Sequence, residues 1–178
     1  MNNEFDDRKS PLSDRPGFVL IIAGVSGAGK TTVGRALAER LGWRFIEGDD
    51  YHPAANVAKM QRGEPLNDAD REPWLLRLRD EIKACLARGE RAILTCSALK
   101  ERYRALLRPD PERVHFVFLT GSYETLHKRL TQRHNHFMGP DLLASQLETL
   151  DLPGDGLIVD IDQPVDAIVD AIMVYLGL

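Results

Sequence analysis

Eight consecutive residues, Gly24-Val25-Ser26-Gly27-Ala28-Gly29-Lys30-Thr31, have the spacing G-x-x-x-x-G-K-[ST]. In that pattern small residues bend the backbone around phosphate oxygens and one lysine meets their charge. Gly24 and Gly29 permit positive φ and leave no Cβ between backbone and phosphate, and Gly27 adds room. Lys30 reaches the β- and γ-phosphates, and the Thr31 hydroxyl can complete the oxygen shell of a bound Mg2+. Together with Thr32 these residues are the candidate nucleotide-binding segment.

Other side chains could do chemistry on a bound triphosphate. Asp49, between Gly48 and Asp50, could accept the proton of an attacking hydroxyl, or it could be a solvated loop acid or a helix cap. Arg129 and Arg133 stand four apart and would share one helix face. They suit a mobile lid bringing guanidinium charge to the transferring phosphoryl group, and equally suit a solvated basic face. Ser97 is a further candidate for the Mg2+ shell, acting through water. His134 and His136 lack an acidic or cysteine partner at metal-ligand spacing, so they do not make a metal site. Cys85 and Cys96 form neither a C-x-x-C pair nor a disulfide framework, which favours a reducing, cytoplasmic setting and a packing role for Cys85.

These groups converge only if the chain places them, and its hydrophobic pattern says how. The apolar run Phe18 to Ala23 is a buried strand leading straight into the glycine-rich turn, and Val33, Ala36, Leu37 and Leu41 recur at helical spacing up to a Gly42 cap. Strand–helix alternation continues with strands at 44–47, 91–96, 115–120 and 156–160. A short helix is expected over 54–61 and a long one capped by Asp68 or Asp70 and ended by Gly89. Another should open at Ser97 to Lys100, another be capped by Ser122, another carry Leu143, Leu147 and Leu150, and a last one start at Pro164. Five strands separated by helices require a parallel sheet covered on both faces. Ligands bind outside the carboxyl ends of such strands, which puts 24–31, 47–52, 97–100 and Gly121 together.

With 178 residues the chain forms one domain, 17–178, after a polar tail, 1–16, that has no apolar stretch typical of a signal peptide. A polar segment bounded by Gly139-Pro140, at 133–140, is the lid candidate. A net charge of −4 argues against a general nucleic-acid binder, and no run approaches the length of a membrane span. Trp43 and Trp74 then read as packing or pocket residues. The phosphate loop alone does not separate a GTPase, an ATPase and a small-molecule kinase. There is no N-K-x-D guanine-reading segment, and an acid just beyond strand two with a late basic lid is what a kinase acting on a small hydroxyl substrate needs.

Several longer phrases are more specific. Gly48-Asp49, His52-Pro53, Lys59-Met60, Gly63-Glu-Pro-Leu-Asn-Asp68, Asp70-Arg71, Pro73-Trp74-Leu75, Cys96-Ser-Ala-Leu-Lys100, Tyr103-Arg104, Gln146-Leu-Glu-Thr-Leu150 and Val159-Asp-Ile-Asp-Gln-Pro164 closely resemble the bacterial gluconate kinase (gluconokinase) family from Phe18 onward. The resemblance implies a P-loop, nucleotide-kinase-like α/β fold with sheet order 2-3-1-4-5. It also implies transfer of the ATP γ-phosphoryl group to the 6-hydroxyl of D-gluconate, with Mg2+. By motif, Lys30, Asp49 and Arg133 would be catalytic, Arg129 would serve the adenine face, and Asp49, His52, Lys59, Arg71, Lys100 and Arg104 would meet gluconate. No nucleic-acid or membrane partner is implied, and a homodimer is compatible. Asp50 and Tyr51 stand where apolar residues would be more usual. Two alternatives stay open: a shikimate or nucleoside kinase of the same fold, and a nucleotide-binding module without phosphotransfer.

Overall fold

The computed structural model describes residues 15–132 and 142–178. The expected lid at 133–140, with Arg133, His134 and His136, and tail residues 1–14 lie outside the described residues. Arg15, assigned to the tail, is tied to the domain by an ion pair with Glu112 at 2.8 Å.

Five parallel strands, β1 (Phe18–Ala23), β2 (Arg44–Glu47), β3 (Arg91–Thr95), β4 (Val114–Thr120) and β5 (Leu157–Asp160), pair in the order β2-β3-β1-β4-β5. All six β1 residues are fully buried, because this strand has a neighbour on each edge and helices on both faces, so only an uninterrupted apolar run is tolerated there. The β5 edge alternates, with Ile158 outside and Val159 inside.

Among the described residues seven α-helices connect and flank the strands: α1 (Lys30–Leu41), α2 (Ala54–Gln61), α3 (Asp68–Ala87), α4 (Glu101–Leu107), α5 (Tyr123–Thr131), α6 (Leu143–Thr149) and α7 (Val165–Leu176). The chain leaves β1 towards one sheet edge and returns from β2 towards the other. Right-handed crossovers therefore put α1 on one face and α3 on the opposite one. The packing agrees: α1 lies against β1–β3 and α7, while α3 lies against β1, β3 and α4. The reversal of direction opens a crevice at the carboxyl ends of β1 and β3.

Three local expectations change. The polar loop after β2 is wound into a 3₁₀ turn, Gly48–Tyr51. Helix α3 is capped by Asn67, whose side chain accepts the Asp70 N–H at 2.8 Å while the Asp70 carboxylate accepts the Asn67 N–H at 2.9 Å. This reciprocal box satisfies two donors at once and so wins over either aspartate alone. Residues 97–100 do not open a helix. Ala98 has φ of 45°, and the buried Arg104 guanidinium donates to the carbonyls of Ala98 and Leu99 at 2.9 and 3.2 Å, so the turn is held open and α4 begins only at Glu101.

Candidate active site

The phosphate loop spans the gap between β1 and α1. Its glycines adopt positive φ, 138° at Gly24, 84° at Gly27 and 90° at Gly29, and a Cβ at Gly24 would come within 2.6 Å of the Leu119 carbonyl oxygen. Lys30 folds back and donates to the Val25 carbonyl at 3.1 Å. The N–H groups of the first turn of α1 add partial positive charge, the usual anion-binding end of a helix.

Next to Lys30, the Thr31 hydroxyl donates to Glu47 at 2.7 Å. Thr95 donates to the other Glu47 oxygen and accepts the Gly48 N–H at 3.1 Å. A carboxylate and a threonine hydroxyl are hard oxygen ligands of the kind that suits Mg2+. Among the described residues no cluster of three His, Cys, Asp or Glu side chains makes an alternative metal site. The sequence places Glu47 in the converging segment 47–52 without singling it out as a metal ligand. The signal was available, since it is the last residue of a strand pointing at the loop. Ser97, the other Mg2+ candidate, lines the neighbouring cavity and anchors the loop through its carbonyl, which accepts the Gly24 N–H at 3.3 Å.

Helix α3 organises the acceptor side. Trp74, buried at the second turn, donates its indole N–H to the Gly48 carbonyl at 2.8 Å and so fixes the backbone immediately before Asp49. A Cβ on Gly48 would collide with the Thr95 carbonyl, so only glycine lets the turn approach β3 this closely. Asp49 is a quarter exposed and Asp50 is outside, which separates the two neighbouring acids. The His52 ring stacks on Trp74 at 4.0 Å. Asn56 donates to the Asp70 carbonyl at 2.8 Å, which identifies its nitrogen, and the same nitrogen faces His52 Nδ1 at 3.4 Å. Nδ1 is therefore the acceptor, and the ring proton sits on Nε2, 3.9 Å from Asp49 Oδ1. Burial, reinforced by the Arg71 charge, pushes the His52 pKa down to about 4, so the ring is neutral at pH 7.

His52, Arg71, Trp74, Ser97, Ser145 and Gln146 line one cavity beside the loop. The basic candidates divide sharply around it. Lys59 is paired with Asp70 at 2.7 Å and Lys100 with Asp68 at 3.1 Å. Arg104 is not brought to the cavity, its guanidinium being committed to the 98–99 turn and to Glu101 at 2.9 Å. Arg71 is different. It is 7 % exposed and reaches the Tyr103 hydroxyl at 3.3 Å, with no carboxylate at ion-pair distance among the described residues. An almost buried cation without an anion is costly, and it marks a place for one.

On the other side of the loop a cavity of about 300 Å³ is bounded by Gly29, Thr32, Arg129, Ile161, Gln163 and Val165. Arg129 donates to the Ile161 carbonyl at 3.0 Å, which sets its guanidinium across this opening. Cys96 is buried, and burial pushes its thiol up to about 12, so it is protonated at pH 7.

With this geometry in place, the likenesses to known proteins are informative. Residues 26–151 match the family described as shikimate kinase. A gluconokinase of Gluconobacter oxydans is 48% identical over 89% of this chain and 85% of its own length. The thermoresistant gluconokinase of Escherichia coli is 42% identical over 85% and 89%. The crystal structure of a gluconokinase from Sinorhizobium meliloti superposes with a TM-score of 0.81 at 43% identity, covering 92% of this chain and 93% of that one.

Proposed function

The chain belongs to the shikimate kinase family of P-loop kinases and, within it, to the gluconokinases, and we infer from that premise how its two cavities divide one reaction. The protein is an ATP-dependent kinase that phosphorylates D-gluconate at the 6-hydroxyl, yielding 6-phospho-D-gluconate and ADP. The observation that carries the acceptor's class is Arg71. A nearly buried guanidinium without an ionic partner among the described residues, in a cavity whose other walls are neutral polar groups, an indole and the apolar Met60, Pro65, Leu66 and Leu142, suits one carboxylate on a polyhydroxylated body.

In this reading ATP lies with its phosphates in residues 24–32 and its base against Arg129. Gluconate lies with its carboxylate on Arg71 and its hydroxyls among His52, Ser97, Ser145 and Gln146. The 6-hydroxyl oxygen forms a bond to the γ-phosphorus as the bond from that phosphorus to the β,γ-bridging oxygen breaks. The hydroxyl proton passes to Asp49, whose carboxylate is held by the Gly48–Trp74 contact, and Lys30 stabilises charge developing on the phosphates. Mg2+, when bound by Thr31 and Glu47, would supply further neutralisation of the triphosphate. Arg133, which lies outside the described residues, is assigned to closure over the phosphates.

The test is ADP release by purified protein with ATP and Mg2+ against a panel of gluconate, shikimate, a nucleoside, glucose and sorbitol. Gluconate should be turned over fastest. The neutral polyols should fail, because they leave Arg71 without an anion. Shikimate also carries a carboxylate, so its rejection reports on shape. Faster turnover of any other acceptor at equal concentration would overturn the assignment.

A further inference from the structure

Gln146 lines the acceptor cavity but carries neither charge nor a transferable proton for the phosphotransfer itself, and its placement is unusual. It lies on α6, is 5 % exposed, and its Oε1 accepts the backbone N–H of Ser26 at 2.6 Å, across 120 residues of chain. Ser26 is the third residue of the phosphate loop and is itself 4 % exposed. The first half of the loop is clamped on every side: Gly24 donates to the Ser97 carbonyl, Ala28 donates to Val25, and a Cβ at Gly27 would press on α5 at Leu126 and Leu130. From Gly27 onward the loop lines the nucleotide cavity, which Ser26 does not. The Ser26 N–H is thus answered by a side chain of the protein.

The same side chain lines the acceptor cavity with its neighbour Ser145. Leu142, just before α6, closes that cavity's wall in a small apolar cluster with Met60 and Leu66, and Leu143 is fixed in the main core. A displacement of α6 would therefore move the acceptor wall and the loop together. An amide suits this position. Its oxygen accepts the N–H as a carboxylate would, without placing a negative charge beside a polyphosphate and an anionic acceptor.

We propose that Gln146 is a positioning residue that keeps the acceptor cavity in register with the phosphate loop, so that the γ-phosphoryl group meets the acceptor hydroxyl rather than water. The proposal rests on the kinase reading above but not on which acceptor is correct. Its test uses Gln146→Asn, which keeps the amide and shortens the reach by one methylene, and Gln146→Glu, which keeps the reach and adds charge. ATP affinity is measured directly, and the ratio of ADP released to phosphorylated acceptor formed is measured with the best acceptor of the wild-type protein. In Gln146→Asn, ATP affinity should stay within about threefold and kcat should fall about tenfold. The ratio should rise clearly above one as water competes for the γ-phosphoryl group. Gln146→Glu should hold the ratio near one while weakening both substrates through charge repulsion. A ratio of one with unchanged kcat in Gln146→Asn overturns the proposal. So does a loss of ATP affinity in proportion to kcat, which would assign the residue to nucleotide binding. If wild-type protein ignores gluconate, the substrate assignment fails and the ratio is still read with whichever acceptor it accepts.

Discussion

Replacing Arg71 by methionine should separate stability from substrate binding in opposite directions. The methionine fills most of the same volume and removes a guanidinium that is 7 % exposed and lacks a carboxylate partner among the described residues. In the ligand-free protein two contacts are lost. One is the hydrogen bond to the Tyr103 hydroxyl, worth about 1 kcal/mol, and the other is the guanidinium over the Tyr103 ring at 5.7 Å, worth roughly 0.5–1 kcal/mol. Against these stands relief of the desolvation of a buried ion, about 1–4 kcal/mol where a buried charge has been replaced by an apolar residue of similar size. The variant should therefore lie between about 1 kcal/mol less stable and about 2 kcal/mol more stable than the wild type. Its gluconate complex should lose a buried, charge-assisted pair worth about 3–4 kcal/mol, which raises KM for gluconate by about 10² to 10³. ATP affinity should hardly change, because Arg71 lies on the acceptor side of the loop. Urea unfolding of the ligand-free protein and initial rates over a gluconate titration read the two quantities. If the variant is destabilised by more than about 2 kcal/mol while its gluconate KM stays within threefold of wild type, Arg71 is a structural cation and the reasoning is wrong.

Asp49→Asn should lower kcat by about 10² to 10⁴ with ATP affinity nearly unchanged, while Asp50→Asn, on the exposed side of the 3₁₀ turn, should be mild; equal losses would mean that the turn rather than one carboxylate is being disturbed. Trp74→Phe removes the donor to the Gly48 carbonyl and should cost about 1–3 kcal/mol in urea unfolding, with a further fall in kcat because Asp49 follows that carbonyl; a drop in stability with kcat intact would detach the indole from catalysis. His52 gives a pH signature. Its folded pKa near 4 lies below the unfolded value near 6.5, so the unfolded chain takes up the proton first. The His52 contribution to stability should then fall as pH drops from about 6.5 to 4, by about 3 kcal/mol, and level off below. His115, also depressed by burial, slopes the same way, so the contribution of His52 is the part of the slope that His52→Phe removes; an unchanged slope would refute it.

Local pattern made much of this protein readable in advance. The apolar run of β1, the glycine spacing of 24–31 and the 3.6-residue periodicity of α1 and α7 each depend on residues close in sequence, so the strand, the loop and the alternation that builds a parallel sheet follow from short-range sterics and burial. The specific phrases carried further, to the strand order and to the kinase family. Pairing among distant side chains was beyond that reach. Lys59, Arg71, Lys100 and Arg104 are four equivalent cations in the sequence, and only tertiary contact gives Lys59 to Asp70, Lys100 to Asp68 and Arg104 to a backbone turn, leaving Arg71 facing the cavity. Glu47 reads as an ordinary strand end until the fold sets it between Thr31 and Thr95, and Gln146 reads as a polar helix residue until the fold carries it to Ser26. The physical reason is common to all three. The partner that satisfies a buried polar or charged group is chosen by where the backbone delivers it, and that delivery depends on the packing of elements far apart in the chain.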